Sequence, residues 1–596
     1  MTTYIAPVRD MQFVIREMAD LERIAKLPGY EEATPELADA VLEAAAKLAS
    51  EVLAPLNKIG DEQGATLTPD GVVAAKGFGA AYRQFVDNGW NGLSGDPAYG
   101  GQGLPGLICA ATVEMWNSAN MAFALCPLLT AGATEALKQH GSPELRARYL
   151  PKLVSGEWTG TMNLTEPQAG SDLSAVRTKA VPEADHYRIY GQKIFITWGD
   201  HDMGENVLHL VLARTPNAPE GVRGISLFLV PKFLVHANGN LAERNDLRCV
   251  SIEHKLGIHA SPTCVMSFGD NQGAIGYLVG GENKGLSHMF TMMNEARQKV
   301  GLQGLGIAER AYQAARDYAK ERVQGRPVGN KSGERVTIIH HPDVRRMLLT
   351  MKSQIEAMRA FGYVLAGDLD FAQKHPDGAA RERFQARADL LIPVLKGWCT
   401  ELAVEIASIG VQVHGGMGFI EETGACQYLR DARIAPIYEG TTGIQASDLV
   451  GRKLSADNGR AMAALVGEMR TLEVHLGDTE GAGFALIRIA LRDGILALEQ
   501  ATQWMLQTIG QDPNAALAGS VSYLMLVGYV CGGWQMARAA IASRTALRSG
   551  EKDEFYRTKI ATAVFYAEQI MPKATALLSV VRSGASTARS LGDECF

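Results

Sequence analysis

The hydrophobic pattern of this chain changes period twice, and that bounds its fold. Up to about residue 160 apolar residues recur at helical spacing, and from about 161 to 285 they gather in short strand-like runs. Beyond that, long helices return. In the first part Pro35 to Leu56 is rich in Ala, Leu and Glu, with Thr34 placed as the cap. In the middle part Val176 to Ala180, His186 to Tyr190 and Lys193 to Thr197 carry β-type residues. The turn Pro182-Glu183-Ala184-Asp185 separates the first two. Val207 to Ala213, Ile225 to Val230 and Cys264 to Phe268 continue the pattern. A small β domain, a barrel or sandwich, is expected there.

The 596 residues exceed what one core supports. The expected architecture is mainly α with a central β domain: an N-terminal helical domain (1–160), a β domain (161–285), a helical bundle (286–455) and an additional C-terminal helical domain (456–596). In the bundle, Phe290, Met293, Val300, Gly304, Ile307 and Ala311 share one helical stripe. Arg297 falls on it too. A charge there needs a carboxylate partner or an anionic ligand, because burying it alone is costly. Periodicity leaves both open.

Residues 456–596 carry 13 basic and 14 acidic side chains, so they offer no electrostatic footprint for DNA. The whole chain has a net charge of −7, which also argues against nucleic acid as a partner. The eight cysteines form no Cys-x-x-Cys pair, so neither a zinc site nor a disulfide framework is indicated, as in a reducing cytoplasm. The N-terminal residues lack a signal-peptide pattern, and a cytoplasmic location is expected. Asn514 to Ala537 is free of charge and long enough to mimic a membrane span, but its Ser and Gly content favours a buried bundle helix.

Three segments invite chemistry. Tyr99-Gly100-Gly101-Gln102-Gly103 is a glycine cluster that does not fit a dinucleotide fingerprint. Ile437-Tyr438-Glu439-Gly440-Thr441-Thr442-Gly443-Ile444-Gln445 holds a carboxylate on a short Gly/Thr loop between helical stretches. Met162-Asn163-Leu164-Thr165-Glu166-Pro167-Gln168-Ala169-Gly170-Ser171-Asp172 opens the middle domain. His414 has no partner at ligand spacing and reads as a packing residue; no metal site is expected.

With Thr-Glu-Pro-x-Ala-Gly-Ser-Asp in the middle part and Tyr-Glu-Gly-Thr closing the third, the chain resembles the acyl-CoA dehydrogenases over roughly residues 40–455. The extra C-terminal region and the start Thr3-Tyr4-Ile5-Ala6-Pro7 resemble a bacterial subgroup of similar length. That subgroup includes 3-methylmercaptopropionyl-CoA dehydrogenases and broader acyl-CoA dehydrogenases.

The resemblance implies FAD, an acyl-CoA substrate, electron-transfer flavoprotein as electron acceptor, and a homo-oligomer, with a dimer favoured. It implies that Leu164 and Thr165 lie against the flavin ring, and that Gly170 and Ser171 contact flavin phosphate and acyl-CoA. Phe195, Ile196 and Thr197 stand where the family has Trp-Ile-Thr; Phe keeps stacking and loses the indole donor. Arg322, with Gln324 after it, matches the pyrophosphate contact from the other subunit. The Gly325-Arg326-Pro327 that follows departs from the family pattern. Gln412, Gly415, Gly416 and Thr441 match further FAD contacts.

Asn294 and Arg297, one helical turn apart, match positions near the acyl-CoA, with Tyr438 and Gly440 beside the base. Glu439 is implied as that base, its pKa raised by desolvation and its backbone N–H facing the enolate oxygen. Some relatives carry the base where this chain has Ala296. The implied reaction is α,β-dehydrogenation to a trans-2-enoyl-CoA, with 3-methylthiopropionyl-CoA or a short to medium straight acyl-CoA as substrate. Alternatives are an oxidase on the same fold, a DNA-binding damage-response relative, and a noncatalytic scaffold.

Overall fold

The strand-like runs pair into one sheet in the computed structural model, which describes residues 3–329 and 333–596. The chain forms two compact units, one from residues 45–104 and 115–299, the other from 1–44, 105–114 and 300–596. In the first unit, eight strands among the described residues make the sheet. Their order is Leu247–Ile252, Thr263–Phe268, His186–Thr197, Ala274–Leu278, Ser226–Pro231, Asn206–Ala213 and Trp158–Asn163, with Lys179–Glu183 also on His186–Thr197. Pairing is antiparallel except between Trp158–Asn163 and Asn206–Ala213, which run parallel from Trp158↔Asn206 to Asn163↔Val211.

Two expected runs, His186 to Tyr190 and Lys193 to Thr197, are one twelve-residue strand. Gly191 allows the join, since a Cβ there would lie 2.7 Å from the Thr178 hydroxyl. That long strand pairs Ala274–Leu278 at one end and Thr263–Phe268 at the other. The Thr161 hydroxyl then donates to the Thr197 carbonyl at 2.8 Å, drawing the edge strand back beside it as in a barrel. Asn206–Ala213 is buried along its whole length, and its alternate residues feed two cores. Leu208, Leu210 and Leu212 pack with helical residues such as Leu137, Tyr149 and Leu153; Val211 and Ala213 pack with Phe228, Cys264 and Phe268.

Pro35 to Leu56 is not one regular helix. Helix Pro35–Leu48 meets a π-helical turn at Ala49–Leu53 before Ala54–Gln63 continues. Pro55 has no N–H to give to the turn before it, which accounts for the widened geometry. The Thr34 hydroxyl accepts from the Leu37 N–H at 3.2 Å, as a cap should.

Helix Gly285–Glu321 carries the stripe predicted from periodicity. Val300, Gly304, Ile307 and Ala311 are buried; nearer the start, Met289, Met292 and Ala296 fill the core while Phe290 and Met293 are only half-buried. The offset arises because Met289, Met292 and Ala296 enter the cluster around Leu137 and Leu153, with Met293 at its margin.

In the second unit, helices Pro342–Lys374, Gly378–His414 and Pro513–Arg548 pack together. Among the described residues, Pro513–Arg548 is the one helix long and apolar enough to cross a membrane, and 72% of its most apolar stretch is buried inside the protein. Gly528 explains the packing: a Cβ there would come within 2.2 Å of the Trp398 ring. Beneath these helices lies a buried ion network. The Arg359 guanidinium donates to Asp10 (2.6 Å), Glu114 (2.6 Å) and Glu309 (2.7 Å), while Lys559 bonds Asp10 and Glu356. One network thus ties the N-terminal segment, the bundle and the C-terminal helices.

Candidate active site

Glu439 stands on a loop whose base is closed by the Thr442 N–H on the Pro436 carbonyl, at 3.0 Å. The loop is tight enough to force Glu439 to φ 55° and Gly440 to φ 88°. A left-handed glutamate is uncommon and is held only by its surroundings. Those surroundings are specific. The Glu439 carbonyl accepts from Gln445 Nε2 at 3.0 Å, and the Gly440 carbonyl from Lys396 Nζ at 2.7 Å. Lys396 and Gln445 have no exposed surface. Tyr438 donates its hydroxyl to the buried Gln303, and burial together with the adjacent Glu439 pushes its pKa up. Thr441 caps helix Thr442–Asp448, accepting from the Ile444 N–H at 3.3 Å, and Thr442 donates to Glu401 at 2.5 Å. The Glu439 side chain itself is half-buried.

Gln412, Gly415 and Gly416 lie exposed at the far end of the same helix that holds Lys396. At 1.5 Å per residue the sixteen-residue separation of Lys396 and Gln412 is about 24 Å. His414 stacks on Tyr318 with centroids 4.6 Å apart and donates through Nδ1 to the Gly410 carbonyl, 2.7 Å away. That stack sets the end of Gly378–His414 beside the end of Gly285–Glu321. Arg322 and Gln324 follow there, both exposed, on a short antiparallel bridge: the Arg322 carbonyl accepts from Ile338 N at 2.8 Å, and Gln324 N donates to Val336 at 2.9 Å. Gln412, Gly415, Gly416, Arg322 and Gln324 therefore share one end of the bundle, and the Glu439 loop sits turns away along it.

In the β unit, strand Trp158–Asn163 runs straight into Leu164 and Thr165, both half-buried. The Thr165 carbonyl accepts from Ile194 N at 2.9 Å, and the Leu164 carbonyl from Lys193 Nζ at 3.0 Å. Glu166 turns inward and bonds Lys193 at 2.8 Å. Burial opposes its ionisation, but the Lys193 ammonium and the Thr178 and Arg177 donors overcome that and hold its pKa at about 2. Gly170 and Ser171 are exposed on the turn that follows, and a Cβ on Gly170 would meet nothing within 4 Å. Asp172 caps the next short turn by accepting from Ser174 N at 2.8 Å.

Phe195 lies at φ 58° and is 59% exposed, while Ile196 beside it is buried. The pairing explains this: Lys193 opposes Met266 and Ile196 opposes Cys264, so two residues face one and the strand bulges. The bulge throws an aromatic ring outward at a strained position. Trp198 is also left-handed (φ 50°) but points inward, its indole donating to the Ala122 carbonyl at 3.1 Å. Thr197 is half-buried. On helix Gly285–Glu321 Asn294 is half-buried and Arg297 only 5% exposed.

Sequence reading gave no role to Lys193, Glu166, Lys396, Gln445 or Gln303. Lys193 did carry a signal, as a charge inside a β-type run where alternation would otherwise place an apolar residue.

The acyl-CoA dehydrogenase N-terminal, middle and C-terminal domains match residues 35–157, 161–271 and 283–454, and a region described as acetyl-CoA dehydrogenase C-terminal like matches 465–591. The 3-methylmercaptopropionyl-CoA dehydrogenase of Ruegeria pomeroyi is 52% identical over 96% of this chain and 97% of its own length. The chain belongs to the acyl-CoA dehydrogenase family. It is an oxidoreductase of the CH–CH class, and the cofactor of the family is FAD. A butyryl-CoA dehydrogenase of Syntrophomonas wolfei is 34% identical over 100% of this chain and 99% of its own. The solved acyl-CoA dehydrogenase from Bacillus anthracis, complexed with FAD, shares the fold at TM-score 0.73 and 21% identity, over 98% of this chain and 93% of that one. Within the β unit the outward Phe195 ring and the open Gly170 position suit a flat ring and a phosphate, and within the helical unit the open Gly416 position and the exposed Arg322 guanidinium suit a pyrophosphate.

Proposed function

We propose that Glu439 removes the α-proton of an acyl-CoA thioester, and that the substrate is 3-methylthiopropionyl-CoA or a short to medium straight acyl-CoA. The observation that carries the role is the loop: Glu439 is left-handed, half-buried, and its carbonyl and that of Gly440 are pinned by two fully buried side chains. A base on a fixed backbone loses little entropy in reaching a carbon acid. A thioester supplies the acidity, since it stabilises the enolate better than an ester. Ala296 on the helix could not serve. FAD, when bound, accepts the hydride from the β-carbon.

Leu164, Thr165, Phe195, Ile196 and Thr197 are assigned to the flavin ring, and Gly170, Ser171 and Thr441 to its phosphates. Arg322, Gln324, Gln412, Gly415 and Gly416 take the adenosine side of a second subunit's FAD. Ser171, Asn294, Arg297, Tyr438 and Gly440 are assigned to the acyl-CoA. The substrate class rests on the identity to the Ruegeria pomeroyi enzyme. A thioether is close in shape to a methylene, so both substrate types suit one site.

A homodimer is supported by apolar exposure at the end of the bundle that carries Arg322 and Gly416. Phe419 is 84% exposed and Val328 82%, with Met417 and Ile420 nearby. Electron-transfer flavoprotein is the proposed acceptor. The test is anaerobic bleaching of the purified flavoprotein by a panel of acyl-CoAs including 3-methylthiopropionyl-CoA. Fast bleaching that Glu439→Gln abolishes, with FAD retained, is expected. A flavin-loaded protein that no acyl-CoA bleaches would overturn the substrate reading, and full activity in Glu439→Gln would remove it as the base.

A further inference from the structure

Two consecutive residues of strand His186–Thr197, Lys193 and Ile194, hold the segment Leu164–Glu166. Lys193 reaches across with an ammonium that has no exposed surface and donates to the Leu164 carbonyl at 3.0 Å and Glu166 Oε1 at 2.8 Å. Ile194 N donates to the Thr165 carbonyl at 2.9 Å. Phe195 then leaves the strand at the bulge. Glu166 is itself fixed by further donors: Thr178 N (3.0 Å), Thr178 Oγ1 (2.6 Å), Arg177 N (2.8 Å) and Gln168 Nε2 (2.6 Å). Its main chain exchanges two bonds with Ala169, closing the turn before Gly170.

A buried ion pair that served stability alone would be replaceable by apolar residues. This one does more than pair. The ammonium spends a second donor on a main-chain carbonyl next to Thr165, and the carboxylate gathers the turn that carries Gly170 and Ser171. Both carbonyls on the Leu164–Thr165 path are thereby held toward the strand, and the remaining faces of those peptides are fixed with them.

We propose that Lys193 is a positioning residue for the flavin, acting through the Leu164 carbonyl and Glu166 to fix Thr165 in the orientation that tunes the ring. The proposal rests on the reading above that Leu164 and Thr165 lie against the flavin. Donors near the ring set its electron affinity, so a rail that slackens changes the bound flavin before it changes the fold.

The experiment uses the full-length FAD-loaded protein and three variants: Lys193→Met, the double variant Lys193→Met with Glu166→Gln, and Thr165→Val. The double variant removes both buried charges, so it folds where the single one strands a carboxylate. The readouts are the visible flavin spectrum, the reduction midpoint against a reference dye, and FAD affinity by fluorescence. Thr165→Val is expected to shift the flavin bands and midpoint. The double variant should shift them in the same direction and weaken FAD binding about tenfold, as loss of a charged donor to a carbonyl does. If Thr165→Val shifts the flavin while the folded double variant keeps the native spectrum, midpoint and affinity, Lys193 is structural only and the proposal falls. If Thr165→Val leaves the flavin native, Thr165 does not face the ring, and the reading and the proposal fall together.

Discussion

The Lys396 ammonium donates to the Gly440 carbonyl at 2.7 Å, one residue beyond Glu439 and forty-four residues away in sequence. It reaches out from the middle of helix Gly378–His414 and has no exposed surface. A cation so deeply buried is costly unless its donors are used. Here one of them holds the loop that carries Glu439, the proposed base. Lys396→Met should leave FAD content unchanged and lower kcat about tenfold or more, because a base displaced by a fraction of an ångström loses its alignment. Turnover per bound flavin measures this. Unchanged turnover would mean that Gln445 alone holds the loop.

Gly440 tests the same loop through its backbone. Its φ of 88° excludes a comfortable side chain, and an added Cβ would lie 2.7 Å from Gln445 Nε2. Gly440→Ala therefore combines strain with a clash against the residue that pins the Glu439 carbonyl. A loss of about 1–3 kcal/mol is expected, with turnover falling further than stability. Gly100→Ala is the comparison: φ is also 88° but a Cβ there meets nothing within 4 Å. It should lose only the backbone term, about 1 kcal/mol. Thermal unfolding of both variants decides; equal losses would show that the Gln445 contact relaxes freely.

Acid stability should report Glu166. Its folded pKa is depressed to about 2, so its contribution is complete above the unfolded value and is lost as pH falls toward 2. The proton binds the unfolded chain more tightly, so stability falls with falling pH through that window. Glu166→Gln lacks this titration. The gap in Tm between native protein and Glu166→Gln should be widest above about pH 5, narrow below that, and close toward about pH 2. A gap independent of pH would assign the loss to hydrogen bonding alone.

Much of this architecture was legible because it is written in local pattern. The change of period gave the β region, Thr34 marked its helix start, and the glycine-rich stretch around Gly528 marked a close-packed helix. The Glu439 loop was legible because Gly and Thr flank a lone carboxylate. What was not legible is long-range. Lys396 looks like an ordinary surface lysine in sequence and Lys193 stands out only as a charge within a β-type run, yet each is fully buried and bonds a carbonyl far along the chain. The bulge at Phe195 was hidden because only the register against Met266 and Cys264 reveals it. The π-helical turn at Ala49–Leu53 follows from Pro55, but propensity alone carries the helix through.

Arg359 gives the sharpest test of such long-range order. Its guanidinium serves Asp10, Glu114 and Glu309, and Tyr363 completes the shell by donating to Glu114 at 2.6 Å. Burial raises the pKa of Glu114 even with the guanidinium beside it. Arg359→Met would leave Glu114 and Glu309 buried without their cation, while Asp10 keeps Lys559, costing about 3–5 kcal/mol. Lys at that position cannot serve three acceptors with one planar fork, so Arg359→Lys should recover only part. Glu114, whose pKa burial already raises, binds its proton still more tightly in folded Arg359→Met than in the unfolded chain, so the variant's stability falls as pH rises. Its deficit against the native protein should therefore be largest near neutrality and shrink on mild acidification. Tm measured across that range for all three proteins checks it; a deficit constant with pH would mean that lost packing, not stranded charge, sets the cost.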